Sequence, residues 1–382
     1  MKTLMGDAAA HPLREHGFWD YTTPGTGGME GYELHDYLLL LDDMQAAGMN
    51  SLVIVVKWFT TGYKSRLPFL DQQPDNPVIA SGNRLLRQVI EEASRRKIKI
   101  WLGAVVTFFP AEPRGDFSGP PLSYKIETYD PDMPEAQDRA VRIMAEIVEL
   151  FPGIGGLMVE MECAGKALPH RIPLYNQWAA SHGRTPFDRL CENLDGRSFD
   201  LPDWRDYTTE RRIALLKAIE STVRDKGFVG DLVTIAETGR TPYTYAHELN
   251  LAMFRNACPA WSVLTYEYDK GEQRFASMDY AVSVPRQHGL EVAYLPRGVM
   301  TWSGVWPRPM SLAEGWRMDV EDIKMFRPDR VWWFGSGGET SGGFHVCKDR
   351  LRSGQDRFAS GRDARRALLR AAAPLGLAVP PR

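Results

Sequence analysis

Eight short apolar runs, rich in β-branched residues, recur along the chain and are separated by amphipathic segments. The runs cover residues 17–22, 51–58, 99–108, 154–163, 232–238, 262–269, 291–297 and 330–335. Short continuous apolar runs are typical of strands that are buried on both faces of a parallel sheet. The sequence therefore predicts eight buried strands that alternate with helices.

The segments between the runs carry helical periodicity and helix boundary signals. Helices are predicted over residues 33–47, 83–97, 134–150, 209–225 and 362–372, and more weakly over 243–256, 273–284 and 312–326. Gly48 is placed to end the first helix, and Pro134 is placed to begin the third. Eight β/α units in one unbroken series predict an α/β fold, a single (β/α)8 TIM barrel that spans residues 1–382. The competing doubly wound sheet usually has fewer strands and a glycine-rich fingerprint after its first strand, which this chain does not have.

Two connections between these units are long. Residues 109–132 follow the third predicted strand, and residues 164–207 follow the fourth. Both are predicted to be loop insertions at the C-terminal face of the barrel, where barrel enzymes build their sites.

Composition excludes several classes of protein. Lys and Arg total 46 against 49 Asp and Glu, so the net charge of -3 gives no basic surplus for nucleic acid. The longest apolar runs are too short to cross a bilayer, and the N-terminal segment has no apolar stretch like that of a secretory signal. The four cysteines are scattered, without metal-like spacing. These features predict a cytoplasmic protein with no membrane or nucleic-acid partner, and they leave the oligomeric state open.

The fourth predicted strand carries two glutamates on one face. Strand alternation gives one face Met158, Glu160 and Glu162 and the other face Leu157, Val159 and Met161. The second, apolar set is expected to face the helix layer. Glu160 and Glu162 are then expected to point into the barrel mouth, about 6.5 Å apart along the strand. Two buried like charges at this spacing raise one pKa, which favours a protonated acid at neutral pH. Alternatively, one of the carboxylates pairs with a cation and only holds the strand end.

Two further predicted strands also end in glutamate. Glu237 ends the fifth strand, and Glu267 lies near the end of the sixth. Three consecutive strands with acidic ends predict a shared catalytic site, with Glu237 or Glu267 as the partner of Glu162. The alternative for each residue is an ion pair with a mouth cation such as Lys57 or Arg297.

Aromatic and hydrogen-bonding side chains gather at the same strand ends and are predicted to bind the substrate. They are Trp19, Asp20, Lys57, Trp58, Tyr266, Arg297, Trp302 and Trp333. Flat rings with polar edges match the faces of sugar rings, and flanking charges match sugar hydroxyls. Other tryptophans are expected in the core, and Trp101 and Trp261 are the best candidates because they lie at strand starts.

Other chemistries have little support in the sequence. The eight histidines show no HxH or HExxH spacing, and no GxSxG or GxxxxGK[ST] motif is present. No metal site and no cofactor are therefore predicted.

With a glutamate at the end of strand four and tryptophans on strand eight, the chain resembles the (β/α)8 glycoside hydrolase superfamily. The resemblance implies a catalytic carboxylate at Glu162 and an aromatic ring beneath the sugar at Trp333. In the large retaining clan an Asn precedes this glutamate and a second glutamate ends strand seven, whereas here Met161 precedes it and strand seven ends at Arg297. Other barrel hydrolases take the second carboxylate from strand five or six, which fits Glu237 or Glu267. No numbered family is assigned.

The resemblance implies hydrolysis of a small glycoside or oligosaccharide by carboxylate acid/base or nucleophilic catalysis. Two other functions stay open at this point. One is a metal-dependent barrel lyase or isomerase that acts on a sugar. The other is a non-catalytic sugar-binding barrel that binds glycans through its tryptophans.

Overall fold

A computed structural model of the chain contains a closed barrel of eight parallel strands. It describes residues 13–23, 28–58, 60–70, 75–106, 108–110, 126–128, 134–161, 171–186, 202–236, 249–266, 274–296, 298–299, 311–337, 358 and 360–376. The strands are β1 Glu15–Tyr21, β2 Ser51–Lys57, β3 Lys99–Val105, β4 Phe108–Pro110, β5 Ile126–Thr128, β6 Gly156–Glu160, β7 Asp231–Ile235, β8 Trp261–Thr265, β9 Val292–Tyr294 and β10 Arg330–Phe334. The barrel order is β1-β10-β9-β8-β7-β6-β3-β2, which confirms the predicted (β/α)8 barrel.

Helices connect the strands around the outside of the barrel. They are α1 Leu34–Ala47, α2 Pro77–Ala80, α3 Arg84–Arg95, α4 Pro134–Leu150, α5 Arg171–Ser181, α6 Pro202–Asp225, α7 Leu251–Ala257, α8 Arg274–Met278, α9 Val284–Gln287, α10 Leu312–Phe326 and α11 Gly361–Ala372. As predicted, α1 ends at Gly48, which has a φ of 76°, and α4 begins at Pro134. Helix α6 starts earlier than residue 209. In the described parts of the chain, no helix is long and apolar enough to span a membrane.

The two long connections contain elements that the sequence analysis did not predict. After β3, strands β4 and β5 form an antiparallel pair. After β6, the connection includes α5 and the first turns of α6. An aromatic cluster lies between these two helices and contains Tyr175, Trp178, Trp204 and Tyr207. Trp178 and Trp204 therefore stabilise the packing of this connection.

The barrel wall separates two cores, because successive side chains of a strand point to opposite faces. Trp101, Met158 and Trp332 belong to the core inside the barrel. Leu157, Val159 and Met161 belong to the core between the strands and the helices. The predicted alternation of the fourth strand is thus confirmed from residue 157 to residue 161.

A network of paired charges closes the N-terminal end of the barrel. Lys99 Nζ lies 2.9 Å from Glu15 Oε1 and also pairs with Asp231. The buried Arg330 contacts Glu15 at 3.3 Å, Asp231 at 3.5 Å and Glu291 at 3.0 Å. Trp101, expected in the core, donates its indole N–H to Glu15 Oε2 at 2.7 Å. We call this group the bottom network.

The last strand and the last helix complete the barrel against its first unit. β10 pairs with β1, with Trp19 opposite Phe334. Asp43 of α1 accepts hydrogen bonds from three arginines of α11, namely Arg362, Arg365 and Arg366. Arg365 also donates to the backbone carbonyls of Ser336 and Gly337, directly after β10. Helix α11 therefore holds the junction between the first and last strands, which we call the seam.

Candidate active site

Glu160 lies at the C-terminal end of β6, the fourth strand of the barrel. Only 6% of its surface is exposed, and it lies opposite Val105 of β3 in the strand register. It is two residues beyond Met158, which is inside the barrel, so alternation directs its carboxylate to the mouth. A buried carboxylate therefore lies at the mouth on this strand, and its catalytic role stays a prediction.

The other predicted acidic residues cannot be placed in the same way. Glu162, Glu237 and Glu267 lie outside the described residues, as do Arg297 and Trp302. Glu162 follows Glu160 by two positions, and Glu237 follows the end of β7 by two. Their assignment to the mouth stays a prediction.

Four aromatic rings line the opposite side of the mouth, on β10, β1 and the end of β2. Trp19 stacks on Phe334 with ring centroids 4.9 Å apart and meets Tyr21 edge-on at 4.7 Å. Tyr21 lies 5.2 Å from Trp58, which is the partly exposed member of the group. We call Trp19, Tyr21, Trp58 and Phe334 the aromatic rim. The predicted Trp19 and Trp58 are thus brought together.

Sequence reasoning missed two members of the rim. Tyr21 follows Trp19 by two residues, so it shares the inner face of β1. Phe334 is the register partner of Trp19 on β10. The alternation of side chains along β1 and β10 is the sequence signal that predicts both positions.

The indole N–H of Trp19 is buried without a hydrogen-bond partner among the described residues. Trp19 is only 3% exposed. Buried donors are normally paired, so an unpaired one next to a candidate site indicates a position for a ligand oxygen or a bound water. Trp19 therefore brings both an aromatic ring and an indole N–H donor to the mouth.

Lys57 is fully buried where β2 ends at the mouth. Its Nζ donates to the carbonyl oxygens of Trp58 at 2.7 Å and Val105 at 2.9 Å. The register between β2 and β3 shifts between Val55 and Lys57, and such bulges often redirect side chains near active sites. Burial holds the pKa of Lys57 well below its ordinary value. Lys57 is therefore a hydrogen-bonding amine whose charged form is disfavoured.

Tyr266 is the remaining predicted contact within the described ranges. It follows β8 directly and is partly exposed, so it lies at the C-terminal end of the barrel, as the prediction requires.

Asp20 does not lie in the mouth, contrary to the prediction. Its neighbours Trp19 and Tyr21 occupy the inner face of β1, and alternation turns Asp20 to the outside. There its carboxylate accepts hydrogen bonds from Ser336 N at 2.9 Å, Ser336 Oγ at 2.7 Å and Tyr21 N at 2.8 Å. Burial raises the pKa of Asp20 to about 6, although these hydrogen bonds act in the opposite direction.

Trp333 also lies on the other side of its strand from the predicted position. It is completely buried in the outer core, and its Nε1 donates to His16 Nε2 at 2.7 Å. Burial lowers the pKa of His16 to about 3, which keeps the imidazole neutral and able to accept this bond. The neighbouring Trp332 is inside the barrel and donates to Ser51 Oγ at 2.8 Å. A ring beneath a bound sugar would therefore come from the rim and not from Trp333.

The described part of the chain has a surface groove on its flank but no metal cluster. No group of three or more His, Cys, Asp or Glu side chains is arranged to hold a metal ion there. A surface groove of about 350 Å³ lies on the flank, between α4 and α6. It contains the ion pairs of Glu149 with Arg66 and Lys226. The groove belongs to the helix layer and not to the mouth.

No protein-family model and no curated protein matches this sequence. Several solved structures have a similar fold, and they are glycoside hydrolases. A β-galactosidase from the psychrophilic Marinomonas ef1 has a TM-score of 0.59 at 12% identity, over 95% of this chain and 60% of that one. The β-amylase catalytic domain of Paenibacillus polymyxa has a TM-score of 0.55 at 12% identity, over 90% and 100% of the two chains. An endo-1,4-β-D-mannanase from Thermotoga petrophila RKU-1 has a TM-score of 0.54 at 10% identity, over 94% and 99%. At such identity the shared property is the barrel fold.

Proposed function

We propose that this protein is a glycoside hydrolase that cleaves a small glycoside or oligosaccharide by carboxylate catalysis. One observation carries the proposal: the buried Glu160, at the end of the fourth barrel strand, points into a mouth that has the aromatic rim on its other side. A carboxylate facing stacked rings suits a substrate with apolar ring faces and a bond that is cleaved by acid catalysis. The fold shared with glycoside hydrolases supports the same function.

The proposed chemistry uses a pair of carboxyl groups. Glu162, as a protonated acid, donates its proton to the leaving glycosidic oxygen while the bond to the anomeric carbon breaks. The carboxylate of Glu237 or Glu267 either takes a proton from the water that attacks this carbon, or attacks the carbon itself to form a glycosyl-enzyme ester. In the second case water then hydrolyses the ester, with ionised Glu162 taking the proton of that water, which releases the sugar and the carboxylate. Glu160, two residues before Glu162, favours the protonated form of Glu162 by charge repulsion. A carboxyl separation of about 5 Å would indicate retention, and a larger one inversion.

The aromatic rim and the polar groups around it would bind the sugar. Trp58 offers a partly exposed ring for stacking, and the unpaired N–H of Trp19 offers a hydrogen bond to a sugar oxygen. Lys57 and Tyr266 would bind hydroxyl groups, together with Arg297 and Trp302. Because the amine of Lys57 is held away from its charged form, it suits a neutral sugar better than an acidic one.

The test is proton NMR of the protein with a panel of aryl glycosides and oligosaccharides that includes galactosides and mannosides. A new anomeric signal in the first minutes would identify the sugar and show retention or inversion. Chelation should leave the rate unchanged, and a loss of activity would point to a metal-dependent lyase or isomerase. Line broadening without any product would indicate a sugar-binding barrel.

The role of Glu162 is tested with Glu162→Gln on two substrates. We expect turnover of an alkyl glycoside to fall by about 1,000-fold, because the proton donor is lost. A nitrophenyl glycoside, whose leaving group needs no proton, should lose much less. Glu146→Gln is the matched control, since Glu146 is a buried glutamate of α4 in the helix layer. Equal losses on both substrates, or full activity on both, would show that Glu162 is not the acid.

A further inference from the structure

The carboxylate of Asp20 joins the ends of the first and last barrel strands. It accepts three hydrogen bonds, two from Ser336 just beyond β10 and one from Tyr21 N. Both residues are almost fully buried. A Cβ atom on Gly28 would come within 2.5 Å of Asp20 Oδ1, so the carboxylate is tightly enclosed. The Asp20 carboxylate therefore ties the two strand ends together, in addition to the backbone pairing of β1 with β10.

The residues next to this contact are members of the aromatic rim. Trp19 and Tyr21 flank Asp20 on β1, and Phe334 precedes Ser336 by two residues on β10. The stacked pair of Trp19 and Phe334 spans the same seam, with one ring on each strand. A change in how β1 meets β10 would therefore alter the rim directly.

Several charged and titratable groups of the described residues act on Asp20 or on its neighbours. Glu30, on the segment after β1, acts on the Asp20 carboxylate by charge repulsion. The phenols of Tyr32 and Tyr37 also interact with it, and burial raises both of their pKa values, which keeps them neutral. Arg365 of α11 and Asp36 of α1 act on Tyr32.

We infer that Asp20 and Ser336 form a positioning pair whose ionised carboxylate holds the aromatic rim in its binding arrangement. This inference rests on the proposed function, in which the rim binds the sugar. When Asp20 is protonated, one accepting oxygen becomes a donor, and the hydrogen bonds to Ser336 and Tyr21 lose the strengthening that a charged acceptor gives. The pKa of about 6 places this change between pH 5 and 7. The KM for the sugar should therefore rise by about fivefold as the pH falls through this range.

The rim can be followed without any substrate by ¹⁹F NMR of protein labelled with 5-fluorotryptophan. Trp19→Phe identifies the resonance of Trp19, which is sensitive to the ring of Phe334. We expect that resonance to titrate near pH 6 in the wild type and in Glu146→Gln, and to stay constant in Asp20→Asn. Glu146 is a matched control because its buried carboxylate also accepts three hydrogen bonds, from Tyr63, Ser65 and Arg66 N.

Ser336→Ala provides a second variant if Asp20→Asn fails to fold. The Ser336 hydroxyl lowers the pKa of Asp20, so its removal should move the midpoint of the Trp19 titration to higher pH. A Trp19 resonance that does not titrate, or that titrates equally in Asp20→Asn, would overturn the positioning pair. So would a KM that shows the same pH dependence in the wild type and in Asp20→Asn. A Trp19 titration that depends on Asp20, in a protein that neither binds nor cleaves a sugar, would instead overturn the proposed function.

Discussion

The buried polar side chains at the two ends of the barrel have different kinds of partners. At the N-terminal end, Arg330 and Lys99 are surrounded by carboxylates, and the indole N–H of Trp101 has a carboxylate acceptor. At the C-terminal end, Lys57 donates to backbone carbonyls and the indole N–H of Trp19 has no acceptor among the described residues. A lysine and a tryptophan thus occur at both ends, but carboxylate partners bind them only at the N-terminal end among the described residues.

The pKa values follow the same division. Partial burial pushes the pKa of Asp231 upwards, but the hydrogen bond and charge of Lys99, with Arg14 and Arg330, hold it below its ordinary value. Near the mouth, burial dominates and shifts the pKa of Asp20 up and that of Lys57 down. Pairing stabilises the charged form, whereas burial without sufficient pairing opposes it. The bottom network therefore stabilises the fold, whereas burial near the C-terminal end of the barrel shifts Asp20 and Lys57 towards their neutral forms.

Arg330→Met should produce the largest loss of stability. The substitution leaves the buried Glu15 with fewer partners, and breaking a buried charge network of this kind costs about 3–5 kcal/mol. Urea unfolding at pH 7 measures the loss. A cost below about 1 kcal/mol would show that the bottom network does not hold the barrel closed.

Asp20→Asn should change the pH dependence of stability. The folded-state pKa of about 6 is higher than the unfolded value, so Asp20 favours folding below the unfolded pKa, and this contribution is lost as the pH rises through 6. The shift of about two units corresponds to about 3 kcal/mol between pH 4 and pH 8. The wild type should lose this amount across the range relative to Asp20→Asn, as measured by urea unfolding. Parallel curves for the two proteins would contradict the prediction.

Trp101→Phe and Trp19→Phe compare one substitution at both ends. Each removes an indole ring from the interior of the barrel, but only Trp101 loses a hydrogen bond to a carboxylate. Trp101→Phe should therefore destabilise the protein by about 2 kcal/mol more than Trp19→Phe. Thermal or urea unfolding of both variants gives the difference. Equal losses would mean that the two N–H groups are equally well satisfied.

Lys57→Met should have the smallest effect on stability, within about 1 kcal/mol at pH 7. The loss of two hydrogen bonds is offset because no amine has to be transferred from water into the barrel. Since burial lowers the folded-state pKa of Lys57, the stability of the wild type should also rise more steeply than that of the variant as the pH rises towards the ordinary pKa of lysine. A loss of stability as large as that of Arg330→Met would show that buried charges at the two ends of the barrel contribute equally to the stability of the fold.

The fold was predictable because the strands are simple in sequence. A strand buried on both faces is mostly apolar along its length, so runs such as residues 51–58 stand out from the amphipathic helices around them. Helix α5 was missed because Pro173 lies near its start and its aromatic residues pack on α6 instead of facing the barrel. Local periodicity does not reveal a partner of that kind.

The candidate site was predictable only in part. Adjacent pairs such as Trp19 and Asp20, or Trp332 and Trp333, cannot both face the mouth, because each strand alternates its side chains. The position of a residue near a strand end correctly placed it near the C-terminal end of the barrel. It did not show whether the side chain points into the barrel or towards the helices. The contact of Asp20 with Ser336 joins residues at opposite ends of the sequence, and no local pattern contains that information.

The seam also dictates when the molecule can be completed during its synthesis. β1 finds its second neighbour only in β10, and the arginines that bind Asp43 come later still, in α11. At roughly ten residues per second, a ribosome needs about half a minute between making β1 and making its partner. Throughout that time one edge of β1 is open, with Trp19 and Tyr21 beside it, and exposed strand edges of this kind promote aggregation. The seam is therefore completed only when the last helix has been made, and a truncation that removes β10 leaves this edge of β1 without its partner.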